Sequence, residues 1–172
     1  MTIQIKEAIP NDAKFLAEIN SQTWFNTYKN TKYWITEYIP NSEEQTQQYI
    51  TKKSENIKNN PWSYFLAIDN WKVIWYANWK KHEDFNELFA IYVLPEYHKK
   101  WAWKLLIQSV FNYLWDEKDI LVNVIWYNTN AINFYKNFWF QYLKDLNDVE
   151  IIDNIFVPEI QMIKYIKKEI FG

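Results

Sequence analysis

The stretch LFAIYVLPEYHKKWAWKLL, residues 88–106, decides how the rest of the chain is read. It opens on an apolar run with the length and composition of a buried strand. Pro95 ends that run, because proline has no N–H to give to a strand ladder. A basic loop follows with His98, Lys99 and Lys100, and from Lys104 the segment KLLIQSVFNYL takes up the apolar spacing of a helix. The order is therefore strand, basic loop, helix N-terminus. The first turn of a helix carries unpaired N–H groups and the positive end of the helix dipole. With Lys99, Lys100 and Lys104 beside it, this junction suits an anion such as a pyrophosphate.

The same stretch holds Trp101 and Trp103 where such a turn would use glycine, and that oddity runs through the chain. Gly172 is the only glycine among 172 residues, against 11 tryptophans. Ordinary usage would give roughly twelve glycines. Glycine is needed wherever φ is positive or two backbones approach closely. The tryptophans take up such places. Asn70-Trp71 separates the apolar runs SYFLAID and KVIWYAN, where Asn-Gly would make a tight hairpin. Trp79 follows Asn78 at the expected end of the second run, which reads as another turn. Trp115 follows KLLIQSVFNYL at the place of a helix-ending glycine. The placement implies that most of these residues are glycines in the living cell. Some bacterial lineages read UGA as glycine, whereas another common code reads it as tryptophan. The positions so assigned are 34, 71, 75, 79, 101, 103, 115, 126 and 139. Trp24 lies on an amphipathic helix and reads as a true tryptophan, and Trp62 stays undecided.

Working outward gives a mixed α/β pattern. Residues 2–6 alternate as a short strand. Asn11 or Asp12 is placed to cap a helix running to about Tyr28, with Phe15, Leu16 and Ile19 on one face. Residues 42–57 read as a polar helix capped by Ser42 and Gln45. Strands are expected at 63–69, 72–78 and 86–94, a helix at 103–114, a strand at 119–125 and a helix at 129–137. Strands at 140–146 and 159–166 close the chain. No linker, repeat or low-complexity tract divides it, so residues 1–172 read as one domain.

With glycine at 101 and 103, the loop becomes YVLPEYHKKGAGKLL. That resembles the acetyl-CoA signature of the GNAT superfamily, Q/R-x-x-G-x-G/A, set after a strand and opening a helix. His98 stands where the family has Gln or Arg. The stretch VNVIWYNTNAINFYKNFWFQYL, residues 122–143, is similar to the family's N-x-x-A-x-x-F-Y-x-x-x-G-F block through Asn128, Ala131, Phe134, Tyr135, Trp139 and Phe140. The resemblance implies the GNAT fold: a mostly antiparallel sheet of six to seven strands flanked by about four helices, with two early helices shaping the acceptor pocket. It implies acetyl-CoA as acyl donor, held by Ile91, Tyr92 and Val93 on the strand, by residues His98, Lys99, Lys100, Trp101, Ala102, Trp103 and Lys104 around the pyrophosphate, and by Asn128. Tyr135 matches the family's tyrosine that protonates the departing CoA thiolate, a sensible role for a phenol of ordinary pKa near 10. Glu87, at the start of the fourth strand, matches a position that often carries the general base. His82 and Glu83 in the preceding loop are weaker candidates for that task. For Asn128 a plain helix-cap role stands equally open.

Composition narrows the field further. Net charge is −2, every one of the 19 basic residues is lysine, and no nucleic-acid recognition motif occurs, so nucleic acid is not an expected partner. There is no cysteine, and two separated histidines give no metal-ligand spacing. No apolar run is long enough to span a membrane and the start lacks the apolar core of a signal peptide, so a cytoplasmic protein is expected. The expected reaction is direct transfer of an acetyl group to the primary amine of a small molecule or peptide. The competing reading is a GNAT-fold protein that binds acyl-CoA without catalysis, as a sensor or degenerate enzyme. Edge strands leave room for a homodimer.

Overall fold

The computed structural model describes residues 3–29, 39–97, 102–113, 118–152 and 155–166. In chain order the elements are β1 (Ile3–Glu7), α1 (Ala13–Tyr28), α2 (Glu43–Asn59), β2 (Tyr64–Asp69), β3 (Lys72–Lys81), β4 (Asn86–Val93), α3 (Ala102–Tyr113), β5 (Ile120–Ile125), α4 (Thr129–Lys136), β6 (Gln141–Ile152) and β7 (Ile155–Lys164). The seven strands form one sheet in the order β1-β2-β3-β4-β5-β7-β6. Strands β1 and β2, β2 and β3, β5 and β7, and β6 and β7 pair antiparallel, whereas β4 and β5 pair parallel. The mixed α/β GNAT architecture expected from the sequence is the one observed.

The contacts divide into two compact units, residues 1–78 with 90–112, and residues 79–89 with 113–172. In the first, α1 turns Leu16 and Ile19 inward, where they join Ile57 of α2, Leu66 of β2, Val73 and Tyr76 of β3, and Leu94 in one apolar cluster. Burial of each such side chain contributes about 1.5–3 kcal/mol. The start of α1 differs from expectation. Asp12 occupies the cap position but makes no side-chain cap bond. Its buried carboxylate turns back to accept from the Ile9 N–H at 2.9 Å and from Lys6 Nζ at 2.9 Å, tying the preceding 3-10 turn to β1. Helix α2 begins as expected, with the Ser42 hydroxyl accepting from the Gln45 N–H at 3.2 Å. The Gln45 side chain reaches back one residue further, to the Asn41 N–H at 3.1 Å.

Strands β2 and β3 close over Asn70-Trp71, with Asp69 opposite Lys72. Both turn residues have positive φ, 46° and 71°, as a primed two-residue turn requires. The register slips between Ala67 and Ile68, so β3 carries a bulge just before Trp75. Trp75 is completely buried, and its indole N–H has no hydrogen-bond partner among the described residues. Trp79 is not at a turn: β3 continues three residues beyond the expected end, and Trp79 lies inside it, 2% exposed. The strand continues past Asn78, and the turn comes only after Lys81.

In the second unit β5 is flanked by β7 along its whole length, and Leu88, Ile120, Val122, Val124, Val157 and Met162 are buried. The described ladder between β4 and β5 consists of Asn86↔Ile120 and Glu87↔Leu121. Edge strand β6 slips register against β7 at three places, and such irregularities discourage pairing with a further strand. Among the described residues no helix is long and apolar enough to cross a membrane.

Candidate active site

Helix α4 is built to hold one phenol still. Asn128 caps it, its side-chain oxygen accepting from the Ala131 N–H at 3.1 Å. At the other end the Phe140 N–H reaches the Tyr135 carbonyl at 3.2 Å and the Trp139 N–H reaches the Lys136 carbonyl at 3.0 Å. These two bonds define a Schellman stop, which needs a left-handed residue at Trp139, and its φ is 69°. The apolar contact of that motif is also present: the Phe140 ring lies 5.4 Å from the Tyr135 ring. Phe134 covers the phenol from another side at 5.2 Å. Tyr135 is 5% exposed, whereas Trp139 stands 81% exposed, where glycine would leave nothing.

Glu87 sits in the same unit, on the second residue of β4. His82 reaches it across the turn that joins β3 to β4, with Nε2 2.9 Å from Glu87 Oε2. The turn is closed by the His82 N–H donating to the Phe85 carbonyl at 2.9 Å. The imidazole stacks on the Phe85 ring, 4.4 Å between centroids and 18° between planes. Lys118 Nζ donates to the His82 carbonyl at 3.0 Å. The sequence named His82 and Glu87 separately but gave no sign that they pair; the only available signal was a spacing of five across a tight turn.

Ile91, Tyr92 and Val93 are half-buried on the last residues of β4. The Tyr92 hydroxyl accepts from Trp24 Nε1 at 3.2 Å, and its ring lies 4.9 Å from that of Tyr76. Ala102 opens α3 and Lys104 is exposed in its first turn, so the expected helix N-terminus and one of its cations are present. His98, Lys99, Lys100 and Trp101 lie outside the described residues, as do Trp34 and Trp115 and the side chain of Trp103. Helix terminus and lysine are the donor types a pyrophosphate requires.

Two charged groups escaped the sequence reading. Lys53 of α2 lies over the rings of Tyr49 and Tyr76 at 5.5 and 5.6 Å, and burial lowers its pKa to about 8, with Lys52 adding to the effect. Glu159 of β7, opposite Ile125, has its carboxyl pushed up by burial. An open hollow of about 450 Å³ on the outer face of α2, lined by Glu44, Gln47, Gln48, Thr51, Lys52 and Glu55, includes none of the candidate residues. Among the described residues no group of acidic or histidine side chains could hold a metal.

The family model described as Acetyltransferase (GNAT) family matches residues 16–140. The chain belongs to that family. It is accordingly an acetyl-CoA-dependent acyltransferase by class. Solved structures agree on the fold. PaiA N-acetyltransferase from Thermoplasma acidophilum, in complex with coenzyme A, is 20% identical, with 96% of this chain and 100% of that one covered at a TM-score of 0.68. The ribosomal-protein-S18-alanine N-acetyltransferase from Escherichia coli is 17% identical, with 99% of each chain covered at 0.67. YncA from Salmonella typhimurium, solved with its cofactor acetyl-CoA, is 13% identical, with 99% and 97% covered at 0.67. No curated protein matches the sequence.

Proposed function

We propose that this GNAT-family chain, acting as one catalytic domain, moves the acetyl group of acetyl-CoA directly to a primary amine of a small molecule or peptide. Glu87 assists removal of the amine proton, and the nitrogen then attacks the thioester carbonyl. Backbone N–H groups of β4, that of Val93 among them, stabilise the oxyanion. As the C–S bond breaks, the Tyr135 phenol gives its proton to the sulfur. Backbone at Ile91, Tyr92 and Val93 holds the pantetheine arm, and the α3 N-terminus with Lys104 and the loop His98–Trp103 holds the pyrophosphate. Asn128 has its side-chain oxygen committed to the α4 cap, which leaves its amide N–H group for the donor.

The observation that carries this reading is the seating of Tyr135. A capped eight-residue helix, a left-handed stop and two flanking aromatic rings fix one phenol inside the family match, in the block whose sequence resembles the one that carries the family's tyrosine. Tyr135→Phe keeps the ring packing and removes only the proton donor. Acetyl-CoA affinity should persist within about twofold, while kcat falls by about 10²-fold or more. Unchanged turnover would remove Tyr135 from the mechanism; binding with no turnover in the parent, tested on polyamines, amino acids and peptide N-termini, would make the chain a sensor instead.

The reading extends to the code. Trp71 and Trp139 adopt the left-handed backbone that glycine adopts freely, as does the undecided Trp62 at φ 72°, and the bulged strand at Trp75 buries an indole N–H that has no partner among the described residues. These features support glycine at the positions the sequence assigns to it. Peptides from the native host should carry glycine masses at 71 and 139.

A further inference from the structure

The geometry points to His82, held by Glu87, as the atom-level proton acceptor of the reaction: the amine proton goes to His82 Nδ1, and Glu87 fixes the ring and stabilises the imidazolium. This inference rests on the proposed acetyl transfer and refines which side chain takes the proton. A carboxylate has no proton to give, so the 2.9 Å bond between His82 Nε2 and Glu87 Oε2 requires the tautomer with hydrogen on Nε2. That leaves the Nδ1 lone pair as the basic atom, and among the described residues it has no hydrogen-bond partner. The arrangement is that of a histidine oriented by a half-buried carboxylate. Phe85 covers one face of the ring and the backbone bonds of His82 to Phe85 and Lys118 anchor its position. The side chains are not sealed: His82 is 27% and Glu87 22% exposed, so a proton taken up here can leave to solvent.

The proton balance closes. An alkylammonium and a thioester become an amide, a thiol and one free proton. The nitrogen gives up two protons: His82 takes the first and passes it to water. The second replaces the one that Tyr135 hands to the sulfur as the C–N bond forms and the C–S electron pair moves onto sulfur. Charged groups on the elements around the imidazole are Lys81 at the end of β3, Glu83 and Asp84 in the turn, and Lys118 and Asp119 before β5; of these, Lys118 bonds His82, through the backbone carbonyl.

The test uses His82→Gln, which keeps an N–H for Glu87 but takes up no proton near neutrality, and Glu87→Gln, which keeps an oxygen for His82 but removes the charge. Both are made in whichever form, tryptophan or glycine, binds acetyl-CoA by calorimetry, and thiol release is followed with spermidine, L-lysine and an alanine-initiated peptide as acceptors. His82→Gln should lower kcat/KM by about 10²-fold or more with acetyl-CoA affinity unchanged. It should also abolish the rising limb of the pH profile and regain part of the rate with added imidazole. Nitrogen NMR of the ring should show the Nε2–H tautomer in the parent. A His82→Gln enzyme within twofold of the parent, beside an inactive Glu87→Gln, overturns the inference and leaves Glu87 as the base. An Nδ1–H tautomer in the parent overturns it as well. Acetyl-CoA binding with no thiol release from the parent overturns the transfer reaction itself, and the dyad with it.

Discussion

A tryptophan at φ near 70° has to be held there by its surroundings. The left-handed region costs a residue with a Cβ about 1–2 kcal/mol. Trp71 and Trp139 bear that cost with their indoles 96% and 81% exposed, so almost nothing in side-chain burial offsets it. Replacing either by glycine should therefore stabilise the fold by about 1 kcal/mol or more, seen as a higher urea midpoint with an unchanged slope. Alanine at the same sites should give much less of the gain, because it keeps the Cβ. Equal midpoints for tryptophan and glycine would mean that the local strain is not real. Trp75 is expected to respond differently, since it fills space inside β3 as well as stranding its N–H, and those effects oppose each other. At this scale the sequence was informative where chemistry is local. Asn70 with its neighbour in a glycine-like slot between two apolar runs signals a primed turn whatever the rest of the fold does. The His82–Glu87 bond was not legible, because it depends on where a turn closes.

The elements themselves were legible to within a few residues, since apolar period and turn residues set them. The exceptions have physical causes. Strand β3 outruns its expected end because Trp79 pairs inside the strand instead of turning it, and β6 and β7 extend toward each other beyond the expected 140–146 and 159–166 to meet at Ile152↔Ile155. The polar pattern of α2 also concealed its inward face. There Tyr49 bonds Asn20 of α1 at 2.6 Å, and Lys53, one turn on, lays its ammonium against Tyr49 and Tyr76. Burial takes the Lys53 pKa from the ordinary 10.5 to about 8. Between those values the unfolded chain binds more protons than the folded one, so stability rises with pH across that window. The cost of charging Lys53 is fully present below about pH 8 and amounts to on the order of 3 kcal/mol. Burial pushes the phenols of Tyr49, Tyr64 and Tyr76 up, so they act in the opposite sense above about pH 10, where unfolded tyrosines ionise first. The urea midpoint should climb from pH 7 to about 10 and then fall. Lys53→Met should start higher at pH 7 and show no climb. A variant that tracks the parent at every pH would show that the ammonium is hydrated rather than buried.

For the molecule as a whole, donor binding and the glycine code can be separated by one linkage measurement. A ligand that binds only the folded chain stabilises it by about 2.7 kcal/mol at a hundred times its Kd. For a chain of 172 residues each kcal/mol moves the thermal midpoint by about 2–4 °C, so saturating acetyl-CoA should raise it by roughly 5–10 °C. Two forms are compared, the tryptophan chain and one with glycine at 34, 71, 75, 79, 101, 103, 115, 126 and 139. On the proposed pyrophosphate site, indoles at 101 and 103 would compete with the anion at the start of α3, whereas glycines would free backbone N–H groups to face it. The shift should therefore belong to the glycine form and be absent or small in the tryptophan form. An equal shift in both would mean that neither indole obstructs the phosphates, and the code reading would then rest on the strained turns alone. A glycine form that folds, melts cooperatively and shows no shift would remove acetyl-CoA as the donor, and another acyl-CoA would have to be sought for the same α3 terminus and the same buried phenol.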